Sequence, residues 1–209
     1  MIIRTFVLGP IQTNSYLVGC EETHEAVLID PPEASSKYSE VADELDLKIK
    51  YIVNTHAHFD HTGGNESVKM GTRAELLIGE KDAPMLATVT QQGMMFEVGV
   101  EPSPPPDRTL IDGEKLTIGN IEFLVRETPG HSPGSIALIT EGAAFVGDTL
   151  FAGSVGRTDI LGGSFDELAK SIRDILYKLD DDVIVYTGHG PITTIGRERT
   201  GNAVIRNSK

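Results

Sequence analysis

The chain has 209 residues and a formal net charge of −13, with 39% hydrophobic and 23% charged residues. This composition is typical of a folded globular protein and excludes a disordered chain. The excess of carboxylates argues against general nucleic-acid binding, which needs Lys and Arg to neutralise phosphates. A single cysteine, Cys20, excludes an internal disulfide framework and a cysteine-rich zinc module.

The first ten residues lack the apolar length and the small-residue cleavage site of a signal peptide. No run approaches the roughly 18 apolar residues that indicate a membrane span. We therefore expect a cytoplasmic protein without a membrane partner, folded as one domain over residues 1–209.

Short apolar, β-branched runs bounded by Gly, Pro, Asn or Asp recur along the whole chain and predict strands. In chain order these runs are residues 2–8, 15–19, 26–29, 50–53, 76–78, 116–118, 121–125, 135–139, 143–146 and 183–186.

Apolar residues at helical spacing predict two helices, one over residues 38–45 and a longer one over residues 165–179. Ser164, followed three residues later by Glu167, predicts a capping box at the start of the second helix. Helices that alternate with groups of strands indicate a layered α/β or α+β fold.

Residues 88–98 are polar and include two methionines, and residues 101–106 contain four prolines. The pattern predicts a lid-like excursion within the domain, with a plain surface loop as the alternative.

Three of the six histidines fall within one short segment, T-H-A-H-F-D-H, directly after a predicted strand. Three imidazoles and a carboxylate so close together would repel one another when the rings are protonated, unless a cation organises them. Imidazole nitrogen and carboxylate oxygen are ligands that zinc, iron and manganese accept. We therefore interpret His56, His58, Asp60 and His61 as metal ligands.

Three further turns, each after a predicted strand and flanked by Gly or Pro, carry His131, Asp148 and His189. Loops at the carboxyl ends of strands often converge on a ligand. Seven donors are too many for one tetrahedral zinc and suit two adjacent metals with open positions for water. Two cations roughly 4 Å apart can hold a bridging hydroxide and polarise a scissile bond. The residues thus predict metal-assisted hydrolysis without identifying the substrate.

This pattern resembles the metallo-β-lactamase superfamily and, within it, the glyoxalase II-like hydrolases. The resemblance covers nearly the whole chain: Asp30 after an early strand, H-x-H-x-D-H at residues 56–61, then His131, Asp148 and His189. It implies a four-layer αββα sandwich with the metal site at one edge of the paired sheets. It also implies two divalent metal ions per chain, with zinc as the first choice and iron or manganese as alternatives.

The resemblance further implies a role for each donor, with Asp60 and Asp148 as the candidate catalytic residues. One metal would bind His56, His58 and His131, the other would bind Asp60, His61 and His189, and Asp148 would bridge the two.

Two segments indicate which branch of the superfamily the chain resembles. Residues 150–159 are similar to a segment of short glyoxalase II-like and persulfide-dioxygenase-like members, and residues 188–198 are similar to short bacterial and archaeal hydrolases. Within the first, Arg157 and Asp159 predict an ion pair that braces the Asp148 loop, with substrate contact as the alternative.

The chain also departs from the family pattern. Residues 190–209 are too few for the helical carboxy-terminal domain that completes the glutathione site of long glyoxalase II enzymes. Pro31-Pro32 replaces the usual Pro-Gly turn, a change that we expect to affect a loop alone.

Without such a carboxy-terminal domain, substrate contacts would come from loops at the rim of the site. The candidates are residues 92–96, which include Met95 and Phe96, with the proline-rich loop behind them. The cations Arg197 and Arg199 would offset the repulsion between an anionic thiol and an acidic protein.

The resemblance implies hydrolysis of a small-molecule thioester, S-lactoylglutathione or a related S-acyl-thiol, by a hydroxide held between the two metals. A thiolate whose conjugate acid has a pKa of about 8.5 departs without a dedicated general acid. One alternative is a mononuclear iron persulfide dioxygenase with His56, His131 and Asp148 as its triad. Another is a lactonase or other hydrolase of the same fold. A flavin-linked diiron module is disfavoured, because such modules usually have a carboxylate where His58 stands and carry an attached flavin domain. An inactive binding domain is disfavoured, because no metal ligand is missing.

Overall fold

The computed structural model describes residues 1–160 and 162–206. The first part of the chain forms a six-stranded sheet whose strands follow one another in sequence order. Its first three strands are antiparallel to their neighbours, and its third to sixth strands run parallel to one another. The strands are β1 (Ile2–Leu8), β2 (Thr13–Gly19), β3 (Glu25–Ile29), β4 (Lys48–Asn54), β5 (Glu75–Gly79) and β6 (Arg108–Leu110).

The second part of the chain forms another six-stranded sheet, in the order β14-β13-β10-β9-β8-β7, and a separate two-stranded hairpin, β11-β12. In this sheet β10 and β13 are parallel and the other pairs are antiparallel. The strands are β7 (Lys115–Ile118), β8 (Ile121–Glu127), β9 (Ile136–Thr140), β10 (Ala143–Gly147), β11 (Leu150–Phe151), β12 (Ser154–Val155), β13 (Ile184–Thr187) and β14 (Thr193–Thr194).

Six α-helices and two 3₁₀ helices occupy the described residues. The α-helices are α1 (Lys37–Glu44), α2 (Phe59–Thr62), α3 (Asn65–Thr72), α4 (Val89–Met95), α5 (Phe165–Asp174) and α6 (Ile195–Gly201), and the 3₁₀ helices are Ala83–Thr88 and Leu176–Lys178. Within residues 1–160 and 162–206, no helix combines the length and the apolar character that crossing a bilayer requires.

Three apolar clusters hold the layers together. The central cluster joins the two sheets, with Tyr16 and Val53 from the first packed with Phe123 and Phe145 from the second. A second cluster packs α1, α3 and α4 on the outer face of the first sheet, and a third packs α5 on the outer face of the second. Burial of one large apolar side chain contributes about 1.5–3 kcal/mol, so these clusters fix the layer order. The expected αββα sandwich is confirmed.

All ten predicted strands are present, most of them with ends shifted by one or two residues. Both predicted helices are also present, and the Ser164 hydroxyl accepts a hydrogen bond from the backbone N–H of Glu167, as expected of an N-cap. The second helix ends at Asp174, and a 3₁₀ turn follows it.

The prediction of a loop over residues 88–98 is wrong, because α4 occupies most of this segment. Helix propensity did not predict α4, because the helix contains Gly93 and glycine is a poor helix former. The fold requires glycine here, because a Cβ at Gly93 would lie 2.6 Å from Val100 Cγ2 and 2.7 Å from the Val98 carbonyl oxygen. The chain that follows α4 therefore packs directly against it.

Candidate metal centre

The seven predicted metal ligands lie together where strands of both sheets end. The segment after β4 supplies His56, His58, Asp60 and His61, the last two on α2, and the turns after β8, β10 and β13 supply His131, Asp148 and His189. Their donor atoms form three overlapping groups, each within 4.8 Å. The groups are His56–His58–His131, Asp60–His61–His189 and His56–His61–Asp148.

The first histidine trio consists of His56, His58 and His131. His131 Nδ1 lies 2.8 Å from the carbonyl oxygen of Arg157, so this nitrogen carries the proton and donates. Nε2 of the same ring therefore presents a lone pair, 2.8 Å from His58 Nδ1. His56 Nε2 is buried without a hydrogen-bond partner among the described residues. A buried nitrogen of this kind calls for a cation or another donor.

Electrostatics keep two rings of this trio uncharged. Burial lowers the pKa of His56 well below its usual range, and the neighbouring His61 and His58 add to the shift. Burial, followed by repulsion from His131, lowers the pKa of His58 to about 3. Neutral imidazoles are the form that binds metals.

The second trio consists of Asp60, His61 and His189. Asp60 Oδ2 lies 3.3 Å from His61 Nε2 and 3.1 Å from His189 Nε2. Burial alone would lower the pKa of His61, but the carboxylates of Asp60, Asp148 and Asp30 hold it well above its usual range. The surrounding carboxylates therefore favour a positive charge at the position of His61.

Asp148 lies between the two trios. Its Oδ1 is 3.4 Å from His61 Nε2, and its Oδ2 is 3.5 Å from His131 Nε2 and 3.6 Å from His189 Nε2. Burial would raise the pKa of Asp148, but the nearby histidines, led by His61, lower it on balance. Its buried Oδ1 makes no hydrogen bond with the described residues.

These observations test whether the site suits divalent cations. Nitrogen and carboxylate donors converge, His56 Nε2 and Asp148 Oδ1 lack hydrogen-bond partners among the described residues, and three carboxylates surround His61. Such donors fit zinc, iron or manganese.

Asp30 fixes the orientation of His61. It is 2% exposed, and its Oδ2 accepts from His61 Nδ1 at 3.0 Å, so that Nε2 of the ring faces Asp60 and Asp148. The same carboxylate accepts from the backbone N–H and the hydroxyl of Thr55, each at 2.7 Å. A carboxylate behind a metal-binding histidine selects the tautomer that the metal needs.

Asp82, which the sequence analysis missed, joins the two segments that carry the histidine trio. It is fully buried, and its Oδ2 accepts from the backbone N–H of Ala57 at 3.0 Å and from the hydroxyl of Ser132 at 2.6 Å. Its Oδ1 accepts from the backbone N–H of Gly134 at 2.6 Å. No motif marks Asp82, because its sequence neighbours, Glu80 and Lys81, are ordinary polar residues.

The start of β2 holds the His189 turn. Asn14 donates from its backbone N–H to the carbonyl of Gly188 at 2.7 Å and from its side chain to the carbonyl of Gly190 at 2.8 Å. Thr13 pairs with His189 in an isolated bridge, and its hydroxyl donates to Asp60 Oδ2 at 3.4 Å. The sequence offered no signal for these contacts either.

The predicted rim residues at the carboxyl end of α4 lie beside the histidine segment. The ring of Phe96 stacks on that of Phe59 with centroids 5.3 Å apart, while Met95 is 81% exposed. Gln92 accepts from the backbone N–H of Phe59 and donates to the carbonyl of Ala57, both at 3.1 Å. Helix α4 therefore borders the site and leaves apolar side chains free at its surface.

Arg157 and Asp159 form the predicted ion pair, with contacts of 2.7 and 2.8 Å. Hydrogen bonding to Arg157 lowers the pKa of Asp159 to about 2. Both side chains are exposed, and the part of Arg157 that touches a candidate ligand is its carbonyl group, which accepts from His131. The bracing role of the pair remains a proposal.

The two arginines proposed for the rim differ in their surroundings. Arg197, in the first turn of α6, is exposed. Arg199 is part-buried, and its guanidinium contacts the carbonyl of Leu179 and, at 2.7 Å, Asp181. The described contacts of Arg199 are thus with the segment after α5 and not with the candidate ligands.

Comparison with known proteins agrees with this geometry. The sequence profile of the metallo-β-lactamase superfamily matches residues 8–189. Hydroxyacylglutathione hydrolase GloC of Haemophilus influenzae is 35% identical over 213 residues, covering 100% of both chains.

Three solved structures share the fold. BLEG-1, a B3 metallo-β-lactamase, has a TM-score of 0.90 and 35% identity over 97% of this chain and 98% of its own. TTHA1623, in a di-iron-bound form, has a TM-score of 0.88 and 34% identity over 96% and 98%. ETHE1 of Myxococcus xanthus has a TM-score of 0.83 and 28% identity over 100% and 86%. The chain therefore belongs to the metallo-β-lactamase superfamily and is a metallo-hydrolase of that fold.

Proposed function

We propose that the protein is a dinuclear metallo-hydrolase that cleaves the thioester bond of S-lactoylglutathione or a related S-acyl-thiol. The observation that carries the proposal is the second trio: Asp60, His61 and His189 converge beside the histidine trio, with Asp148 between them. A mononuclear enzyme would not need this complete second set. The similarity to hydroxyacylglutathione hydrolase GloC supports the choice of substrate.

In this proposal the histidine trio would hold one cation, the second trio would hold the other, and Asp148 would serve as a ligand shared by the two sites. When bound, the two cations would lower the pKa of a water molecule and polarise the oxygen of the scissile carbonyl. Zinc remains the first choice, with iron and manganese as alternatives that the same donors accept.

The chain itself supplies the orientation and the ionisation state of the ligands. Asp30 and the Arg157 carbonyl fix the tautomers of His61 and His131, so their Nε2 atoms point inward. Nearby histidines hold the pKa values of Asp60 and Asp148 below their usual range despite burial, which keeps both carboxylates ionised, the form that binds a metal. A thiolate leaving group needs no proton from the protein, which suits a site whose carboxylates are ionised and have no proton to donate.

A persulfide dioxygenase is the second candidate, because the chain is similar to ETHE1 of Myxococcus xanthus over its whole length. That reaction would use His56, His131 and Asp148 around one iron. The completeness of the second trio favours the hydrolase.

The experiment compares the zinc, iron and manganese forms of the protein on S-lactoylglutathione, with metal content measured on the same samples. We expect thiol release and about two metals per chain in the active form. Thiol release by none of the three forms would refute the proposal. Oxygen uptake and sulfite formation from glutathione persulfide, by protein with one iron per chain, would establish the second candidate instead.

A further inference from the structure

A cavity of about 240 Å³ adjoins the candidate metal centre at Asp60. Its walls are mainly apolar: Pro10 from the β1–β2 turn, Pro32 from the segment after β3, Phe59 at the start of α2, and Val98 and Val100 from the chain after α4. Four separate segments therefore shape it, and Asp60 of the second trio is one of its lining residues.

The size of the cavity limits what can occupy it. It has room for roughly eight water-sized groups, and it is smaller than the pockets of about 300–1,000 Å³ that enclose drug-sized ligands. A tripeptide thiol such as glutathione is too large for it, whereas a chain of a few carbons fits. In the proposed reaction the scissile carbonyl would lie at the cations, one of which Asp60 would help to hold, so the small group that enters the adjoining cavity is the acyl chain.

The described ionisable residues that line the cavity are all acidic. Glu33 and Glu101 line the cavity with exposed side chains, and Asp60 lies on the side of the metal centre. None of the described residues in the lining is Lys, Arg or His. A second carboxylate at the far end of the acyl chain would meet Glu33 and Glu101 here, and no basic side chain of the described lining offsets their charge.

We propose that this cavity is the acyl subsite and that it selects short, uncharged acyl groups, because Glu33 and Glu101 repel an acyl chain that ends in a carboxylate. This inference rests on the proposed thioester hydrolysis and adds the part of the substrate that decides specificity. Selection of this kind depends on repulsion of the wrong substrate as well as attraction of the right one.

The test uses two thioesters of the same thiol and the same acyl chain length, S-pentanoylglutathione and S-glutarylglutathione. The charge of the glutathione moiety is then the same in both substrates and does not affect the ratio of their rates. Two repulsive contacts at exposed carboxylates, worth roughly threefold each, give an expected ratio of kcat/KM of about ten in favour of the pentanoyl ester. The ratio should fall as salt is added from low ionic strength, because salt screens exposed charges.

The decisive variant is Glu33→Gln/Glu101→Gln. We expect it to lower the pentanoyl-to-glutaryl ratio to below about three, by raising the glutaryl rate while the pentanoyl rate stays within twofold. The matched control is Glu44→Gln/Glu141→Gln, which removes the same charge from two exposed positions outside the cavity and should leave the ratio unchanged. Glu33→Lys should favour the glutaryl ester further.

The outcomes separate the two proposals. Cleavage of both esters at equal rates by the unaltered protein, or a ratio that both double variants lower equally, would overturn the acyl subsite and leave the hydrolase intact. Failure to cleave either ester, together with S-lactoylglutathione, would overturn both proposals.

Discussion

At the scale of single residues, the side chains behind the ligands matter as much as the ligands. Asp30 holds the ring of His61, the Arg157 carbonyl holds that of His131, and Asp82 joins the backbone of the two ligand segments. Metal-binding histidines depend on such partners for their tautomer and orientation.

The first prediction concerns Asp82. Asp82→Ala would leave the N–H groups of Ala57 and Gly134 buried without partners, at about 1–3 kcal/mol for each group. We expect a loss of about 2–4 kcal/mol in the free energy of unfolding, measured by urea denaturation, and weaker metal binding in a chelator competition. Asp182→Ala serves as the control, because its side chain is exposed and has no ion pair or hydrogen bond with the described residues. Equal stability of the two variants would contradict the bridging role.

The second prediction concerns His189. His189→Ala removes one donor of the second trio and none of the first. We expect metal content to fall from about two per chain to about one, and kcat on S-lactoylglutathione to fall by at least about 100-fold, since a catalytic metal supplies several kcal/mol. His24→Ala, at an exposed histidine outside the cluster, should change neither quantity. Full activity with one metal per chain would exclude the dinuclear mechanism.

The sequence indicated the ligands but not their supports. Three histidines and an aspartate within six residues form a pattern that has few structural explanations. Asp82 and Asn14 act through backbone groups that come from distant segments, so no local pattern could identify them. Their roles follow from tertiary structure alone.

At the scale of elements, strands were easier to predict than helices. Buried strands such as β3 and β10 consist largely of continuous apolar runs, which a sequence displays directly. The helices α3, α4 and α6 are seven or eight residues long and contain glycine, so their helical periodicity is weak. Tertiary packing stabilises such short helices, and it is invisible in a local pattern.

The third prediction separates the two arginines of α6. Arg197→Ala should leave stability unchanged and raise KM for S-lactoylglutathione by up to about fivefold at constant kcat, the signature of lost uniform binding. Arg199→Ala should instead lower the melting temperature by a few degrees, since it loses its contacts with Leu179 and Asp181, and should leave KM unchanged. A change in KM caused by Arg199→Ala alone would reverse this assignment.

At the scale of the whole molecule, both sheets contribute to one edge, where the metal centre lies. The sandwich is joined along its middle by the apolar cluster around Phe123 and Phe145. At the edge itself the adjoining groups are polar and ionised, so cations would contribute much of the local stability.

The fourth prediction follows from that arrangement. An ion present at 100 times its dissociation constant stabilises the folded state by about 2.7 kcal/mol, so two ions give roughly 5 kcal/mol. For a chain of this length we expect chelation to lower the melting temperature by about 10–20 °C. Zinc should restore it, and His189→Ala should show about half the change. A melting temperature that is insensitive to chelator would contradict a two-metal site.

The two sheets are built from separate halves of the chain, since β6 ends at Leu110 and β7 begins at Lys115. Neither half holds a complete trio. His58 meets His131 across 73 residues, and His61 meets His189 across 128. Each cation would therefore cross-link the two halves, as a disulfide does when it closes a long loop. During synthesis neither ion could be captured until the second half had emerged and folded, which makes metal loading a late checkpoint of assembly.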